Sequence, residues 1–127
     1  MVNTNALTSR RVEVSNSFDD IQDYYDELGW TDGLPVVPAT PDLVRKMLGE
    51  YGENPSWSLG VIQPQNASVN IEKVAINAVM AGCRPEHFPV VIAGIQAILK
   101  PEFNLAGCQA TTGGAAPVQL ISWYLYR

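Results

Sequence analysis

The chain has 127 residues, enough for one hydrophobic core and too few for two ordinary domains. Apolar residues make up 46% and charged residues only 17%, a low charge content that implies apolar surface covered by another subunit or by further chain. The formal net charge is −5 with no basic stripe, which excludes nucleic acid as an expected partner.

Residues 1–16 are polar apart from the alternating pair Val12 and Val14, and are expected to be a strand or an N-terminal arm held by something else in the fold. They lack the basic-then-apolar order of a secretory signal. Ser17 is placed to cap a first helix, with Asp19 and Asp20 in its first turn, where the helix dipole favours carboxylates. Phe18, Ile21, Tyr24, Tyr25 and Leu28 give that helix one apolar face. Gly29 ends it, and Trp30 can fold back on the last turn. Its acids, Asp19, Asp20, Asp23, Asp26 and Glu27, form a solvated face rather than a metal site.

A turn at Asp32-Gly33 leads to a short extended piece, Leu34 to Val37, whose flanking prolines exclude a central strand. Thr40 and Pro41 then supply the cap and first residue of a second helix, with Leu43, Val44, Met47 and Leu48 as its buried stripe. "WSLGVIQP" is a strand that Pro64 terminates. Ser68 is assigned as the cap of the strongest helix, in which Ile71, Val74, Ala75, Ala78, Val79 and Gly82 share a face and only Glu72, Lys73 and Asn77 are polar. A further helix from about Pro89 to Leu99 has Gln96 as its one polar residue and should be covered on most of its circumference. The segments "LAGCQATT" and "VQLISWYLY" have strand character, separated by Gly113-Gly114 and Pro117.

The run Phe88 to Leu99 is too short to span a bilayer. Cys83 and Cys108 form neither a closely spaced pair nor a disulfide framework, so a reduced, cytoplasmic protein without membrane contact is expected. One histidine and two cysteines without ligand spacing give no metal site, and no cofactor is expected.

Two stretches contain residues able to do chemistry. In "AGCRPEHFPVV", Pro85 stops the preceding helix near Cys83, and His87 falls near the start of the next. The positive end of that helix would favour a neutral imidazole and a thiolate, so Cys83 could be a nucleophile beside a neutral His87. Equally, Cys83 fills a helix–helix contact and His87 caps the corner or faces solvent. In "GCQATTGGAAP", Thr111 and Thr112 before two glycines could aim backbone N–H groups at an anion, or form a plain connection. A phosphate loop would need a lysine and a following helix, which are missing here. Catalysis therefore needs Cys83 or His87 to open into a pocket beside Thr111 and Thr112. A binding module needs an apolar or aromatic surface, with the thiol sealed away.

The phrases "GWTDGLPVVPAT", "EKVAINAVMAGCRPEHFPVVIAGIQAIL" and "PEFNLAGCQATT" span Gly29 to Thr112. They resemble the N-terminal part of a larger, poorly characterised bacterial protein family. Its members often accompany a small cysteine- or selenocysteine-containing protein, so the resemblance implies thiol-dependent redox or lyase chemistry. It supplies no catalytic residues to carry over. After Thr112 the pattern departs from the family's, where a His-Pro pair and a long continuing domain are expected. The departure implies a truncated or frame-shifted descendant, from a mobile or environmental gene.

The expected architecture is a single α+β or α/β domain over residues 1–127. Its core would be two buried helices, at about 70–82 and 86–99, beside a small mixed sheet. The expected function is that of an oligomeric domain descended from a thiol-dependent enzyme, with a small-molecule pocket near Cys83, His87, Thr111 and Thr112. The alternative is a non-catalytic homo-oligomeric binding or structural module. Self-association is expected through the C-terminal strand, apolar or aromatic on both faces, with Trp123, Tyr124 and Tyr126 as anchors. The competing arrangement has the N-terminal arm and first helix covering that strand within one chain.

Overall fold

A computed structural model describes residues 7–121. The domain is α+β. In chain order it has α1 (Phe18–Glu27), α2 (Pro41–Leu48), β1 (Ser58–Ile62), β2 (Ala67–Asn70), α3 (Ile71–Met80), α4 (Phe88–Ile98) and α5 (Leu105–Gln109). Short 3-10 turns precede β1, α4 and α5. The strands form one antiparallel pair, with Leu59 as an extra residue between the Ser58–Asn70 and Gly60–Val69 partners. Gly60 has φ +143 there, and an added Cβ would meet the Leu99 side chain. The glycine permits both the bulge and the close approach of that side chain.

The core lies where α2 and α4 pack on α3. Val44, Met47 and Leu48 of α2 meet Ile71, Val74, Ala75, Ala78 and Val79 of α3, with Phe88 and Ile92 of α4 completing the cluster. Small residues at Ala75 and Ala78, both buried, let neighbouring chain approach α3 closely. Phe88 is 1% exposed and meets the Tyr51 ring edge-on at 5.5 Å between centroids.

Caps explain several boundaries. Thr40 accepts from Leu43 N–H and precedes Pro41 at the first helical position, as its sequence suggests. Asn70, not Ser68, caps α3 by accepting from Lys73 N–H at 2.9 Å; Ser68 belongs to β2. At α1, Ser17 occupies the cap position but its side chain makes no cap bond. Gly29 at φ +65 ends α1, with Gly29 N–H donating to Asp26 O and Trp30 N–H to Tyr25 O. That closure brings Trp30 back to 5.6 Å from Tyr25.

Three expectations need correction. "LAGCQ" is helical, because Asn104 caps it by accepting from Gly107 N–H, where strand was expected. Helix α4 buries only Phe88 and Ile92, leaving Pro89, Ala93, Gln96 and Ala97 exposed. Its cover is one stripe rather than most of its circumference. Val12 and Val14, for which a strand or an arm was expected, lie in an arm without strand pairing among the described residues. Of the expected C-terminal strand, Val118, Leu120 and Ile121 are exposed and without regular structure; Trp123, Tyr124 and Tyr126 lie outside the described residues.

Candidate functional site

Cys83 sits just beyond α3, and the local chain explains its position. Gly82 has φ +74, its N–H donates to Val79 O, and Cys83 N–H donates to Ala78 O, both at 2.9 Å. These two bonds form the six-residue closure that ends a helix in left-handed glycine. In this closure the residue after the glycine packs back on the last turn. Cys83 does so: it is half-buried and packs against the core cluster, with a free thiol.

His87 is exposed, and its Nδ1 accepts from Arg84 N–H at 3.2 Å, while His87 N–H donates to Arg84 O at 2.9 Å. The imidazole thus ties the corner that Pro85 begins, and the bond requires an unprotonated Nδ1. Thr111 and Thr112 are exposed. Thr111 Oγ1 accepts from Gly113 N–H at 3.2 Å, so this N–H is already committed within the turn. Neither pair lines the two cavities described below, and no hydrogen bond links the two stretches. Among the described residues no cluster of three or more His, Cys, Asp or Glu could hold a metal ion.

A different constellation lies along Glu72, Ile76 and Met80 of α3. The arm, α1, the Pro38–Pro41 segment, α2 and α3 line a half-open cavity of about 450 Å³. Its apolar and aromatic lining comes from Ile21, Tyr25, Val44, Ile76 and Met80, with the half-exposed Trp30 at its edge. Volume and lining are those of sites that take small organic molecules. Helix α1 is set in place partly by Gln22, whose amide donates to Val36 O and accepts from Val36 N–H at 2.9 and 2.8 Å.

The polar centre of this cavity is Glu72, 1% exposed in the first turn of α3. Its Oε2 accepts from both Thr8 N–H and Thr8 Oγ1 at 3.0 Å, and its Oε1 accepts from Ser9 N–H at 2.9 Å. Burial pushes the carboxyl upward, but the Thr8 and Ser9 backbone donors and their hydroxyls outweigh it and hold the group below the usual carboxylate value. The other charged groups lining the cavity are Arg10, Arg11 and Glu13 on the arm. Lys73, the next residue along α3, turns its Nζ away to Ser68 O at 2.8 Å.

Sequence reasoning counts Glu72 only as one of the three polar residues of α3 and does not find this site. One signal points to it: a lone carboxylate within a helix whose neighbours Ile71, Val74 and Ala75 are all apolar. A second cavity, about 340 Å³, lies between the β1–β2 turn, Ile98, Leu105, Gln109 and Pro117. No helix among the described residues is long and apolar enough to cross a membrane. Compared with protein-family models, with curated proteins and with solved structures, the chain matches none of them.

Proposed function

We propose that the chain is a non-catalytic binding module that takes a small apolar or aromatic molecule in the cavity between the arm and α1–α3. One observation carries this reading: a 450 Å³ space with an aromatic and aliphatic wall and no uncommitted carboxylate in its floor. Every oxygen of Glu72 already accepts a bond from the arm, and the arm's own charges balance only in part. Recognition would then come from Tyr25, Trp30, Ile76 and Met80, by apolar burial and ring contact rather than by ion pairing. The thiol chemistry implied by the family resemblance has less support, since the helix-end closure accounts for Cys83 and the corner bond for His87.

Association of copies is a second reading, favoured by apolar side chains left in solvent. Phe18 is 59%, Trp30 54%, Leu34 69% and Trp57 63% exposed.

The test of the first reading uses the fluorescent apolar probe 1-anilinonaphthalene-8-sulfonate. It should bind the native protein saturably, and Ile76→Trp, which fills the cavity, should abolish that binding with the fold retained by circular dichroism. Unchanged probe binding in a folded Ile76→Trp protein would remove the cavity as the site.

A further inference from the structure

We propose that residues 7–16 are a movable cover over this cavity, latched at one point by the Glu72 carboxylate. Leu7 and the segment from Ser9 to Asn16 supply one whole wall of the space. Among the described residues the arm makes no strand pairing. Its long-range hydrogen bonds among the described residues number three, and all end on Glu72, 63 or 64 positions away in sequence.

Beyond the latch, residues 10–16 are exposed and have no regular structure. Apart from the Leu7 side chain, which packs against the core cluster, a single acceptor group therefore holds a wall about ten residues long. The carboxylate belongs to the first turn of a well-anchored helix: Ile71 N–H donates to Trp57 O and Glu72 N–H to Pro55 O. The latch post is fixed and the arm is the part free to leave. On opening, water takes over the three acceptor positions, so a buried charge is never left unsatisfied and the motion can reverse. A ligand too large for the mouth would enter by displacing this wall. The inference rests on the cavity being the binding site, but the latch itself can be read without any ligand.

Trypsin supplies that reading, because Arg10 and Arg11 lie in the arm directly after the latched residues. Cleavage of a native segment tracks its open population when opening is fast. In Glu72→Gln, one acceptor becomes a donor facing the Ser9 or Thr8 donors. In Thr8→Pro, the backbone N–H and the hydroxyl are lost while α3 is untouched. Both full-length variants should be cut at Arg10 and Arg11 about tenfold or more faster than wild type, the scale of losing hydrogen bonds to a charged group. Cleavage at Arg45 should stay at its wild-type rate. The same variants should bind 1-anilinonaphthalene-8-sulfonate with a faster association rate. Should Glu72→Gln fail to fold, Thr8→Pro decides. Wild-type cleavage rates at Arg10 and Arg11 in a folded variant would overturn the latch. Faster cleavage with an unchanged probe association rate would overturn the cover, and leave the binding reading to the Ile76→Trp experiment.

Discussion

Replacing Glu72 by glutamine should destabilise the domain at neutral pH and lose that effect in acid. The carboxylate accepts three hydrogen bonds within 3.0 Å, and bonds to a charged acceptor contribute about 1.5–3 kcal/mol each. The net is smaller, because ordering the backbone of Thr8 and Ser9 costs about 1–2 kcal/mol per residue. A loss of about 1–3 kcal/mol in Glu72→Gln is expected, which for a domain of this size is about 4 °C in Tm per kcal/mol. The folded protein holds this carboxyl below its ordinary value, so the unfolded chain binds its proton first as pH falls. The contribution is therefore complete above the unfolded value of about 4.3 and is lost as pH drops through that value and then through the lower folded one. Glutamine does not titrate. Urea denaturation of both proteins at pH 7, 5, 4 and 3 should show a gap that narrows below about pH 4.3. A gap constant across that range, or none at pH 7, would refute the assignment of Glu72 as the arm's anchor.

Asn70→Ala should cost about 1 kcal/mol through the lost cap of α3, whereas Ser68→Ala should be near neutral; equal losses in urea melts would contradict the cap assignment. Phe88→Ala should lose about 3–5 kcal/mol from cavity creation, against less than about 0.5 kcal/mol for Trp57→Ala at an exposed position, both read from denaturation midpoints at constant slope. In the native protein a thiol reagent should modify exposed Cys108 well before half-buried Cys83. Labelling each cysteine singly checks this, and a Cys83 that reacts first would revive the nucleophile reading.

Much of the scaffold was legible in the sequence because its signals are local. Thr40-Pro41 and Gly29 mark helix ends by backbone chemistry confined to a few residues, whereas Gly82, expected on the buried face of α3, lies beyond its end at Met80. Helix α3 is recognisable from period alone, since Ile71, Val74, Ala75, Ala78 and Val79 all bury. What escaped depends on distance in sequence. Nothing near Glu72 announces that its partners are Thr8 and Ser9, so a buried acceptor resembles a surface acid. Hydropathy likewise cannot say how much of α4 finds a neighbour, and only Phe88 and Ile92 are buried. "LAGCQ" misleads for a local reason: glycine and cysteine weaken its helical pattern, and the cap at Asn104 is the stronger signal.

Methyl chemical shifts during titration with 1-anilinonaphthalene-8-sulfonate test the binding account most directly, because they report the place as well as the fact of binding. The cavity predicts that the methyls of Ile21, Val44, Ile76 and Met80, which line it from three different helices, shift together and saturate with one dissociation constant. Perturbations confined to exposed Leu34, Val118 and Leu120, with those four methyls unmoved, would contradict it.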